Sequence, residues 1–281
     1  MKISILLFSI TLFLSANCFS KDLEPLPLAQ KIFGNDSVPN ISDYITGEYI
    51  GRPNGTDMPK GSSKKFLLLG QNENTAVVSL TTIDTNGKGI DLYLHFLKEN
   101  TWKIAAVRFL SLSGTIEYKV KALERLSSKQ IDSIIKNPPV ETKGKKMIKF
   151  SSRDEYDFLL GNAKLTLALD DSIANHFEKN KEKFEKIKEL AFKQMEKTKK
   201  GNFDVQFFKN LEKQFQKCLI SSLSFNNNRL QNCLIFQIYG SFKNEVGYLY
   251  IKDKTKLPKM EPNAVIMLRE LGNGWYLYKT T

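Results

Sequence analysis

Between residues 65 and 110 short apolar runs alternate with polar separators. The runs at 65–69, 75–83, 89–97 and 102–110 each have the length of a strand. Their separators, Gly70-Gln71-Asn72-Glu73-Asn74, Asp84-Thr85-Asn86-Gly87 and Lys98-Glu99-Asn100-Thr101, are hairpin chemistry, and the Asn-Gly pair is the strongest of the three. The pattern predicts an antiparallel meander. A helix follows, with Leu123, Leu126, Ile131, Ile134 and Ile135 on one side.

The order then reverses. Pro138-Pro139 forbids helix and the charges up to Lys146 offer nothing to bury, which marks 137–147 as a linker between a sheet region at 21–136 and a second region at 148–281. Ser152 with Glu155 fits a capping box for a helix carrying Tyr156, Leu159, Leu160 and Leu165. A longer helix has Ile173, Phe177, Phe184, Ile187, Ala191 and Met195 at three- and four-residue spacing, and Asp170-Asp171 complements the dipole at its start. A shorter helix with Val205, Phe208, Leu211 and Phe215 leads into strands near 218–223, 230–239, 246–251, 264–270 and 275–279. The fold class expected is α+β, with two regions that each pack a curved antiparallel sheet on helices.

At the start, an apolar run from Ile3 to Ala16 follows Lys2. A 14-residue helix reaches only about 21 Å against a hydrocarbon layer of ~30 Å, so residues 1–20 read as a signal peptide cleaved after Ser20. A lipid anchor at Cys18 is the competing reading, disfavoured by Asn17 where lipoprotein signals want a small residue. The mature chain is therefore expected to be periplasmic or secreted, without a transmembrane span. There Cys218 and Cys233 form a candidate disulfide, and a bridge would contribute about 3 kcal/mol. A turn at 225–229 sets the two at least one diagonal step apart, whereas bridging needs Cα atoms within about 7 Å. A bridge requires a bulge, or Cys218 at the end of the preceding helix.

The formal net charge of +12 suggests nucleic acid as a first partner. Only six of the 42 basic residues are Arg, however, and base and phosphate recognition favours the arginine fork. The charge reads as a solvated surface. Two histidines and three cysteines cannot assemble a histidine-rich or cysteine-cluster metal site, and no motif implies a cofactor.

Two segments share a pattern: 96–104 and 268–277 each run from an apolar strand through a polar turn into Trp-X-aliphatic, at Trp102 and Trp275. A hairpin whose Trp opens the last long strand resembles the ending of nuclear-transport-factor-2-like domains, and the second half resembles them most. The resemblance implies a cystatin-type fold, in which helices are wrapped by a bent antiparallel sheet, with a ligand pocket on the concave face. It also implies a choice among small-molecule binders, isomerase- or hydrolase-type enzymes, and noncatalytic partners of larger assemblies.

Alternation along 89–96 puts Asp91, Tyr93 and His95 on one strand face, and Arg108 across the hairpin could join them. Such a row could move protons, with His95 as base, Tyr93 as donor and Asp91 orienting. The plainer reading is the solvated side of an amphipathic strand. His176 reads as an exposed helix residue. Tyr276 and Tyr278, with Tyr239, Tyr248 and Tyr250 on nearby strands, could line a surface for a partner protein, a glycan or a small amphiphile. The expectation is an exported noncatalytic binding or accessory protein of the bacterial envelope. The alternatives are a small-molecule enzyme using Asp91, Tyr93 and His95, or an interaction or immunity factor acting through a basic helix at 172–200.

Overall fold

The computed structural model describes residues 23–34, 36–111, 114–138, 148–198, 203–241 and 244–281. The expected leader at 1–20 and residues 139–147 of the expected linker lie outside them. Two antiparallel sheets of four and five strands, with helices between and around them, give a mixed α+β fold. Among the described residues no helix is long and apolar enough to cross a membrane.

The first sheet is a meander of β1 (Ser63–Gln71), β2 (Thr75–Ile83), β3 (Gly89–Lys98) and β4 (Trp102–Arg108). Its central turn forms where the Asn-Gly pair predicts it. Gly87 takes a φ of 78°, and the Asp84 carboxylate accepts the amides of Asn86 and Lys88. One face of this sheet, with Val78, Leu80, Leu92, Leu94, Phe96, Trp102 and Ile104, closes on Leu28, Ala29, Ile32 and Phe33 in and just after α1 (Pro25–Ile32). Each fully buried aliphatic or aromatic side chain there contributes roughly 1.5–3 kcal/mol. The β4 edge is covered too, since Thr46 and Glu48 donate backbone hydrogen bonds to Ile104 and Ala105.

The trailing helix is two helices, α2 (Gly114–Glu124) and α3 (Ser128–Lys136), because Ser127 and Gln130 close a reciprocal capping box that starts the second. Both pack on α4 (Arg153–Thr166) around Leu123, Ile131 and Phe150, so apolar contact runs across the expected linker.

The long helix expected from 172 to 200 is also divided, into α5 (Asp170–Lys179) and α6 (Lys181–Met195). Asn180 makes the break. Its side-chain amide donates to the His176 carbonyl and its backbone N–H to Phe177, which ends the helical ladder. The bend keeps Phe177 and Phe184 5.1 Å apart and both against Trp275, so the apolar stripe stays buried around the corner. After α7 (Glu212–Gln216) come β5 (Ser222–Phe225), β6 (Leu234–Ser241), β7 (Asn244–Tyr250), β8 (Val265–Gly272) and β9 (Trp275–Thr280). The sheet order is β5-β6-β7-β9-β8. Trp102 opens β4 and Trp275 opens β9, each buried in its own core.

Candidate functional site

Because Leu92, Leu94 and Phe96 face α1, alternation turns Asp91, Tyr93 and His95 to the other side of β3. That side is not solvated. The second half covers it, leaving Asp91 at 6%, Tyr93 at 0% and His95 at 4% exposure. The reading of a wet strand face is corrected for a reason local sequence does not carry: a second layer lies on top.

The layer supplies matching groups. Asp170 opens α5 and Lys279 lies near the end of β9, and both side chains are about 5% exposed. Lys279 Nζ is 2.7 Å from Asp170 Oδ1 and 3.8 Å from Asp91 Oδ2. The Tyr93 hydroxyl donates to Asp170 Oδ2 at 2.9 Å, and the Thr81 hydroxyl donates to Asp91 Oδ1 at 2.6 Å. The Asp170 backbone N–H donates to Asp91 Oδ2 at 2.8 Å, so Asp91 satisfies an amide that the first turn of a helix leaves without an internal partner. Burial raises the Asp91 carboxyl above its ordinary value, Asp170 raises it further, and Lys279 and Thr81 offset part of this. Burial and the two carboxylates push the Tyr93 hydroxyl well above the usual phenol range.

At the solvent edge of this cluster Asp171 pairs with Lys65 at 2.5 Å and Arg269 at 2.7 Å, and the hydrogen bond from Lys65, helped by Arg269, lowers its carboxyl. Arg108 lies opposite Tyr93 and ties the halves together elsewhere, donating to the Pro262 carbonyl at 2.9 Å and pairing with Glu48 at 2.6 Å. His95 stays apart from the cluster. Burial, with Arg108 beside it, lowers it to about 4, so it is neutral near pH 7; Nε2 has no hydrogen-bond partner among the described residues. The proton relay of Asp91, Tyr93 and His95 is therefore not assembled.

The tyrosine-lined surface is not formed. Tyr248 is buried in the core between the helices and the second sheet, where Tyr239 and Tyr250 also pack half-buried. Tyr276 and Tyr278 are buried in a third core on the opposite face of the same sheet. Cys218 and Cys233 are free, and they too lie on opposite faces. Cys218 follows the end of α7, while Cys233 pairs with Asn226 through the backbone, so no register brings them together. Burial pushes the Cys233 thiol up to about 12 and raises that of Cys218. His176 is half-buried rather than exposed, its Nε2 3.0 Å from the Cys218 carbonyl oxygen. Among the described residues no group of three His, Cys, Asp or Glu is placed to hold a metal ion.

Sequence reasoning did not reach Asp170 as a site residue, nor Lys279. A signal for Lys279 was present, since it continues the phase of Trp275 and Leu277, the apolar side of β9. A lysine in that phase needs a counter-charge.

A groove of about 590 Å³ opens at the seam between the halves. Leu69, Val77, Leu257, Met260 and Leu268 supply its apolar lining, with Gln71, Asn72, Asn74, Lys259, Glu261, Glu270 and Tyr276 around them. Gly70 admits this close approach, because a Cβ there would meet the Met260 methyl at 2.8 Å. Compared with known proteins, the chain matches no family model, no curated protein and no solved structure.

Proposed function

We propose that this chain is an exported, noncatalytic binding or accessory protein whose partner seat is the groove at the seam. The single observation carrying this reading is that the groove is open and lined by both halves, while Asp91, Tyr93, His95, Asp170 and Lys279 are shut away from solvent. Apolar floor and amide-rich rim suit an extended segment of a partner protein, whose alternate side chains point down into the floor and up to the rim. The apolar leader from Ile3 to Ala16 supports export. Helices followed by a five-stranded antiparallel sheet, with Trp275 opening the last strand, support reading 148–281 as nuclear-transport-factor-2-like.

The test is selection of a random-peptide display library on the purified mature protein, repeated on Asn74→Trp, which fills the groove from an exposed position. Peptides that bind the parent at micromolar concentration and lose at least tenfold on Asn74→Trp support the reading. Peptides indifferent to that change, or none enriched, reject it.

A further inference from the structure

A lysine amine and an aspartate carboxyl held together out of water are reactants as well as an ion pair. Lys279 Nζ and Asp170 Oδ1 are 2.7 Å apart at about 5% exposure, and a second carboxyl, Asp91, stands 3.8 Å from the same nitrogen. We propose that Lys279 and Asp170 condense into an intramolecular isopeptide bond, with Asp91 carrying the proton and Tyr93 holding the reacting carboxyl.

The chemistry follows from the surroundings. Nζ and Oδ1 are in contact at 2.7 Å, so a proton can pass from the ammonium to the carboxylate along that contact and leave an amine beside an acid. The Lys279 lone pair then forms a bond to Asp170 Cγ. Negative charge builds on Oδ2, where the Tyr93 hydroxyl already donates at 2.9 Å. Asp91, 3.8 Å from Nζ, takes one proton from that nitrogen and returns it to the departing hydroxyl. The Cγ–O bond breaks and water leaves. The balance is complete: two of the three ammonium protons depart with one carboxylate oxygen, one proton remains on the new amide, and no oxidant or cofactor is consumed.

Condensation is unfavourable between free molecules in water, but partners fixed in place react as if at roughly 10⁵–10⁸ M. Forming the amide also removes two buried charges whose desolvation the fold otherwise bears. The other amines and guanidinium groups near the cluster, Lys65 and Arg269, are held by Asp171 at the rim, which leaves Lys279 as the nucleophile. The bond would join the first turn of α5 to β9, a covalent tie that the two cysteines, on opposite sheet faces, do not supply.

The test is intact-mass spectrometry of the full chain, unfolded in denaturant, beside Lys279→Arg, Asp170→Ala and Asp91→Asn expressed and processed identically. The parent is expected to fall short of its sequence mass by one water, and its digest to contain a branched peptide joining Asp170 to Lys279. Lys279→Arg and Asp170→Ala should show full sequence mass, and Asp91→Asn should remain unlinked with native circular dichroism. A parent at full sequence mass overturns the proposal whatever the variants do. So does a branch from Lys279 to Asp91, and an Asp91→Asn protein linked as completely as the parent removes Asp91 from the mechanism.

Discussion

The two sheets solve burial differently. The five-stranded sheet is apolar on both faces: Phe236, Tyr248, Trp275 and Leu277 look toward the helices, while Ile235, Leu249, Tyr276 and Tyr278 fill a smaller core behind. The four-stranded sheet is apolar toward α1, while its other face mixes Val77 with Ser79, Thr81, Asp91, Tyr93 and His95. Nonspecific burial holds the first arrangement. The second needs a covering surface that answers its buried carboxyl and phenol groups, as Asp170 and Lys279 do, which makes the first sheet dependent on the second half and fixes how the two meet.

Removing aromatic bulk should test the apolar side of this comparison most severely. Phe184 is fully buried and touches Phe177, Phe236, Tyr248 and Trp275. Phe184→Ala is expected to lower unfolding free energy by about 3–5 kcal/mol in urea titrations. On the polar side, Lys279→Met keeps the volume but leaves the buried Asp170 and Asp91 carboxyls with neither the lysine cation nor its amide, at a cost of about 3 kcal/mol or somewhat more. Adding Asp170→Asn to it should recover part of that loss, a coupling readable from a double-mutant cycle.

The pH dependence should separate the cluster's interior from its rim. Asp91 is raised in the folded state, so its contribution is present below the unfolded value near 3.8 and is lost as pH climbs through the raised value. Stability should fall over that interval by no more than about 1.4 kcal/mol per pH unit, and Asp91→Asn should remove the slope. Asp171 is lowered, so its contribution runs oppositely, present above 3.8 and lost toward acid. Because Asp171 is nearly half exposed, Asp171→Asn should change the acid limb only slightly in thermal melts. Independent of both is Ser127→Ala, which opens the capping box of α3 and should cost about 1 kcal/mol by the same urea assay, wherever the sheets meet.

Much of the architecture was legible in the chain. Period-two runs and an Asn-Gly turn gave the meander, and the stripe from Ile173 to Ala191 gave the helical layer on the second sheet. The helix breaks were harder to see. Asn180 and Ser127 end or start helices through hydrogen bonds that compete with an uninterrupted apolar pattern, and pattern alone extends through them. The strand face of Asp91, Tyr93 and His95 was correctly grouped by alternation, but alternation cannot say what lies opposite. Asp170 is 79 positions from Asp91, and Lys279 arrives on the last strand. Only the packing of the two halves brings them together. The tyrosines failed as a surface for a related reason: both faces of their sheet carry a core, so Tyr248, Tyr276 and Tyr278 are buried whichever way the strand turns them.

The dependence of the first sheet on the second half is tested most directly by native-state hydrogen exchange, residue by residue, in the parent and in Lys279→Met. Amides of β2 and β3 are expected to lose protection by a hundredfold or so, as follows from about 3 kcal/mol, while those of β6 and β7 keep theirs. Equal loss in both sheets, or unchanged protection in β3, would contradict that dependence.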